Sequence, residues 1–232
     1  MIEENRILAG MPLINKGYWN AALELMDLSA GDILFGPDIS IDYVYFPVNC
    51  IVSLSSQAGN DQFASFALIG NEGVVGASVF LGDMSNTYLA RVECSGKAYR
   101  LDIHFAIEVA AQLSQFRILI LSYMQALVQY SLQVAICESK HTTIQRLICA
   151  LLRCEDRLAG ASSSLDLKFI LHSIGVTVEQ ATQAITLLEN WGFIRRESGS
   201  IVILNRACLE EKSCQCYQLV KTEFDRLLPN RA

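Results

Sequence analysis

Eight cysteines, three histidines and one polar helical face are where this 232-residue chain could do chemistry. Cys214-x-Cys216, with Cys208 six residues earlier, is the one tight cysteine cluster in the sequence. Paired thiolates hold zinc or iron–sulfur centres, but such sites usually need about four donors. The other five, Cys50, Cys94, Cys137, Cys149 and Cys154, are scattered. Buried thiols on a C-terminal helix are the preferred expectation, with no metal and no cofactor. A thiol sensor at Cys94 or Cys137 is the lesser alternative. His104, His141 and His172 stand alone and read as surface or core residues. No nucleophile–base pair, phosphate-loop signature or HExxH motif occurs, so an enzyme is not expected.

The second chemistry is recognition. Thr177 is a suitable N-cap for a helix over 178–190. Within it Ala181, Ala184, Ile185 and Leu188 make a buried stripe and leave Gln180, Gln183 and Thr186 facing out. Amides on an outward helix face can contact adenine edges, and Glu179 can accept from cytosine. Ordinary solvent exposure explains two glutamines equally well. Arg195 and Arg196 follow, placed to touch phosphate, with Lys140, His141, Arg146 and Lys168 as flank candidates.

These residues need elements to hold them. A short helix over 165–173, a turn at Gly175, the helix over 178–190, and a hairpin around Ser198-Gly199-Ser200 form, in that order, a winged helix-turn-helix. Before it, short apolar runs at 41–46, 51–56, 63–69, 87–94 and 97–102 alternate with turn residues, as in a small β-barrel or roll. The residues 58–61 read as a hairpin turn and 159–164 as a linker. Between the two regions no Pro or Gly interrupts residues 103–159. Phe116, Ile120, Tyr123, Leu127, Tyr130 and Val134 step by alternating threes and fours, the seam of a long helix that pairs with its copy in a dimer. Leu119, Leu121, Val128 and Leu132 lie off that seam, so a second face also needs cover.

Composition sets the outer bounds. At 52% hydrophobic and 18% charged, with 14 Gly and 4 Pro, the chain is neither disordered nor of low complexity. Residues 1–136 carry 6 Lys/Arg against 13 Asp/Glu, and residues 137–232 carry 12 against 11. An acidic front joined to a near-neutral, Arg-richer rear suggests two modules with different partners. The stretch 116–137 is broken by Ser122, Gln125, Gln129, Ser131 and Gln133, which argues against a membrane span. The first six residues lack the pattern of a signal peptide. A cytoplasmic protein with reduced thiols is expected.

Five segments stand out together: Gly31-Asp32-Ile33-Leu34, Ile41-Asp42-Tyr43-Val44-Tyr45-Phe46-Pro47, Gly70-Asn71-Glu72-Gly73-Val74-Val75-Gly76, Ala98-Tyr99-Arg100-Leu101, and Gly175 with Trp191-Gly192-Phe193-Ile194. Through them the whole chain, over residues 5–228, resembles the Crp/Fnr family of bacterial transcription regulators. The resemblance implies an α+β chain. A cupin-like, cyclic-nucleotide-binding-like β-roll would span 1–108, a dimerisation helix 109–138 and a winged helix-turn-helix 139–232. It implies a homodimer on palindromic DNA, with RNA polymerase as a further partner and an effector of unknown identity. DNA contacts then fall to Thr177, Glu179, Gln180, Gln183, Arg195 and Arg196. Ligand-pocket candidates are Glu72, Gly73, Val75, Gly76, Ala77 and Arg91.

Two departures from the family pattern carry expectations of their own. Gly76 is followed by Ala77 where cyclic-nucleotide binders place Glu, and residues 78–90 hold no Lys or Arg. A buried phosphate without a cation is costly, so cyclic AMP is not expected to bind. The recognition helix carries Val178 and Gln183 where relatives place Arg, which predicts weak non-specific DNA binding with a shallow salt dependence. The alternative is a degenerate member that acts through protein contacts without reading DNA.

Overall fold

A computed structural model describes residues 2–11, 21–37, 39–57, 63–82, 87–158 and 164–229. The expected turn at 58–61 and all but the last residue of the linker at 159–164 lie outside the described residues. The front half is the expected roll. One antiparallel sheet holds β1 (Glu24–Leu28), β7 (Gly96–Asp102) and β3 (Tyr43–Pro47), in that order. The other holds β2 (Ile33–Phe35), β6 (Tyr88–Cys94), β4 (Ile51–Gln57) and β5 (Phe63–Ile69). Alternation on β6 is clean: Ala90 and Val92 are fully buried and Arg91 between them is exposed, so the apolar face closes the roll.

After β7 the chain turns helical, but not as one unbroken helix. After the short α1 (Arg6–Ala9) near the start, helix α2 (Ile103–Gln112) stops at Leu113, whose extended backbone separates it from α3 (Ser114–Lys140). No Gly or Pro marks that break. A second stop, at His141, precedes α4 (Thr143–Arg157), opened by a capping box between Thr142 and Gln145. By length and composition alone α3 could cross a bilayer, with a stretch of mean hydropathy 1.3. Here one of its faces is covered by the protein. Phe116 stacks edge-on against Phe80 of the roll at 5.6 Å, and Tyr130 against Phe224 near the C-terminus at 6.5 Å.

That packing corrects the seam. Phe116, Ile120, Tyr123, Tyr130 and Val134 are buried within one chain, and Leu127 is half-buried. They face the chain's own roll and C-terminal helix and are not available to a second copy. The free apolar stripe of α3 is the other one: Ile118, Leu121, Val128, Leu132 and Ile136 are all exposed, Ile118 and Val128 at 62%. With exposed Gln125, residues 118, 121, 125, 128 and 132 keep the same three-four spacing.

The rear module follows the expected order with one change. Residues 164–166 form a strand, β8 (Ser164–Asp166), and the short helix α5 (Leu167–Ser173) begins only after it. The sheet order is β8, β10 (Ser200–Ile203), β9 (Ile194–Glu197). Leu165 pairs with Ile201, both fully buried, so the apolar residue taken for a helical position is a strand's inward face. Helix α6 (Val178–Asn190) lies between α5 and the hairpin, and α7 (Arg206–Lys212) and α8 (Gln215–Leu227) close the module. The hairpin turns through Ser198 and Gly199, both with positive φ (38° and 95°), the backbone of a tight two-residue connection.

Candidate nucleic-acid interface and its junction with the roll

Gly175, at φ 56°, makes the turn between α5 and α6, a conformation that favours glycine. The Arg146 guanidinium braces it by donating to the carbonyls of Ile174 and Gly175. Arg146 thereby ties α4 to the turn. Thr177 caps α6: its hydroxyl accepts from Gln180 N at 3.3 Å, and Gln180 Oε1 accepts from Thr177 N at 3.3 Å. This box sets where the helix starts and ties down the Gln180 carbonyl oxygen.

Inside α6, Ala181, Ala184, Ile185 and Leu188 are buried, as their spacing predicts. Thr177, Val178, Glu179, Gln180, Thr182, Gln183, Thr186 and Leu187 are exposed. Thr182 returns its hydroxyl to the Val178 carbonyl at 2.7 Å, whereas Gln183 has an outward amide. The face is neutral apart from Glu179.

Arg195 and Arg196 lie on the exposed strand β9, one residue apart and hence on opposite faces. Each is paired: Arg195 Nη2 sits 2.5 Å from Glu197 Oε1, and Arg196 Nη2 2.5 Å from Glu189 Oε2. The Arg196 guanidinium, with its backbone N–H, holds the Glu189 carboxyl below its ordinary range. Exposed pairs of this kind contribute little to stability and open readily.

The front-half candidates divide. Glu72, Gly73, Val75, Gly76 and Ala77 come together at the turn after β5, and Val75 is stitched to Tyr45 by two backbone hydrogen bonds of 2.8 and 3.0 Å. Arg91 is not with them: it faces outward from β6. Glu72 is committed within the chain: it is buried, and its Oε1 lies 2.9 Å from Nε of Arg157, a buried guanidinium on α4. Burial works against that cation, and the Glu72 carboxylate together with Tyr130, Cys154 and Asp156 outweighs it, so Arg157 stays charged. Arg157 also donates to the Leu68 carbonyl at 3.0 Å.

The glycines of this turn serve close approach. A Cβ on Gly70 would overlap the Arg157 side chain, and one on Gly73 would overlap the Tyr123 ring of α3. The motif Gly70-Asn71-Glu72-Gly73 thus docks the roll onto α3 and α4. Around Gly76 the neighbouring side chains are apolar: Phe35, Ile41 and Val44. A cavity of about 520 Å3 lies instead at the junction, lined by Arg6, Glu72, Arg153, Arg157, Arg206 and Phe224 among others. The Cys94 thiol is pushed up by burial, which disfavours the reactive thiolate a sensor needs.

No protein-family profile matches this chain, and no curated protein matches it. Solved structures do. It is similar to FixK2 from Bradyrhizobium japonicum, with a TM-score of 0.69 and 17% identity over 83% of this chain and 98% of that one. TTHA1359, a Crp/Fnr-family transcriptional regulator from Thermus thermophilus, aligns with a TM-score of 0.59 and 18% identity, covering 90% and 100%. The c-di-GMP-responsive regulator CLP of Xanthomonas campestris aligns at 0.60 with 13% identity, covering 83% and 99%. Across most of its length, the chain has the fold of the Crp/Fnr transcriptional regulators.

Proposed function

We propose that this protein is a cytoplasmic, dimeric, sequence-specific DNA-binding regulator of the Crp/Fnr type, responding to a signal other than cyclic AMP. The observation that carries the reading is the pair of unpartnered surfaces the fold leaves: the outer face of α6 and the apolar stripe of α3. A second copy on α3, related by a two-fold axis, presents two α6 helices to one side of a duplex. Gln183 and Glu179 then read base edges, and Thr177 and the wing arginines position the helix on phosphate.

The signal does not enter the roll as a cyclic phosphate. The side chains around Gly76 are apolar, with no cation among them to meet a phosphate, and Glu72 is paired with Arg157. The junction cavity touches both modules, so a small molecule seated there favours one arrangement of roll and winged helix over another.

The test is binding to a selected operator with two variants. Gln183→Ala lowers affinity by about 1–3 kcal/mol at one base position of each half-site and relaxes specificity there. Arg195→Ala with Arg196→Ala weakens binding to all sequences alike and reduces the salt slope by about 2 per subunit. Unchanged affinity in both variants supports the second reading, a family-like protein that works through protein contacts. What favours that reading is the pairing of both wing arginines with carboxylates.

A further inference from the structure

The fold assembles a donor set that sequence spacing does not. Cys137 and His141 stand one turn apart at the end of α3, and Cys214 and Cys216 open α8. Their ligand atoms all lie within 4.8 Å of one another. Cys137 Sγ is 3.7 Å from Cys214 Sγ, and Cys216 Sγ is 3.6 Å from His141 Nδ1. A tetrahedron with zinc bond lengths of about 2.3 Å to sulfur and about 2.0 Å to nitrogen has edges of about 3.8 Å (S–S) and about 3.5 Å (S–N). We propose that Cys137, His141, Cys214 and Cys216 form a structural zinc site that ties the end of α3 to the start of α8.

Three further features fit that ion. Cys214 occupies the N-cap of α8 and makes no side-chain capping bond; its sulfur turns to the cluster, where the positive helix end favours a thiolate. Three thiolates and a dication leave one net negative charge, and Arg153 supplies its counterpart. Arg153 is buried, its Nε and Nη1 have no hydrogen-bond partner among the described residues, and its charge acts on Cys137 and Cys149. Cys149 Sγ, 3.3 Å from Cys214 Sγ, is outside the set of four and can donate an S–H hydrogen bond to a ligand sulfur. With all four positions taken by protein the site is closed to substrate, the arrangement of structural zinc. It spans the joint at His141–Thr142, where the winged module leaves α3, and does not depend on the DNA reading.

The experiment is metal analysis of the full-length chain purified with reductant and without chelator, then stripped and reloaded with Zn2+ or Co2+. About one zinc per chain is expected, and Co2+ gives the visible bands of a tetrahedral thiolate site. Cys214→Ser and His141→Ala each reduce retained metal to near zero, whereas Cys94→Ser keeps it. His141 is only half-buried, so His141→Ala keeps the far-UV circular dichroism of the parent and separates ligation from folding. No metal after reloading, iron in place of zinc, equal retention in His141→Ala, or a Cys149–Cys214 disulfide persisting in reductant would each overturn the site.

Discussion

Val128→Glu combined with Leu132→Glu produces a folded monomer that has lost its grip on operator DNA. Both side chains are more than half exposed in the single chain, at 62% and 54%, so charging them costs the monomer little and leaves its Tm unchanged. In a two-fold dimer each would meet its own copy, and four buried carboxylates with no partner are prohibitive. Sedimentation then reports a single subunit at all working concentrations. Losing one of two linked half-site contacts weakens operator binding on the order of 100-fold. A double variant that still sediments as a dimer would place the subunit contact elsewhere on the surface.

The second large effect is on stability. Glu72→Ala takes the ion-pair partner from the buried Arg157 guanidinium, and removal of one partner from a buried pair costs about 3–5 kcal/mol. For a chain of this size Tm falls by roughly 10 °C. The reverse change, Arg157→Met, removes the buried cation together with much of the reason for Glu72, and is milder when combined with Glu72→Gln. Thermal unfolding followed by circular dichroism distinguishes the two. Equal losses in both backgrounds would mean that the pair is not the clasp between roll and α4.

The reason α3 is legible in period but not in direction lies in its two interleaved stripes. Residues 116, 120, 123, 127, 130 and 134 keep the same three-four rhythm as 118, 121, 125, 128 and 132. Periodicity alone cannot say which faces the chain's own core. Side-chain size could have: Phe116, Tyr123 and Tyr130 are bulky, and Gly73 is the small residue that admits Tyr123. Aliphatic Ile118, Leu121, Val128 and Leu132 better suit a helix–helix seam.

The strands between 43 and 102 were readable because turn residues punctuate them. In the winged module the caps and Gly175 fixed α6, but Leu165 could not be told from a helical residue before its partner Ile201 was known. The Glu72–Arg157 bond joins residues 85 positions apart, and the cysteine cluster joins two pairs more than 70 apart. In the sequence each half looks ordinary, a lone carboxylate or a scattered thiol. Only the docking of roll, α4 and α8 turns them into a pair and a donor set.

The most direct measurement is selection of bound duplexes from a random DNA pool by the purified full-length chain. Enrichment of an inverted repeat is expected, with half-site centres about 10 base pairs apart and the strongest preference at the positions facing Gln183 and Glu179. A pool that stays random after repeated rounds at low salt, with the protein folded, would contradict the DNA-reading account.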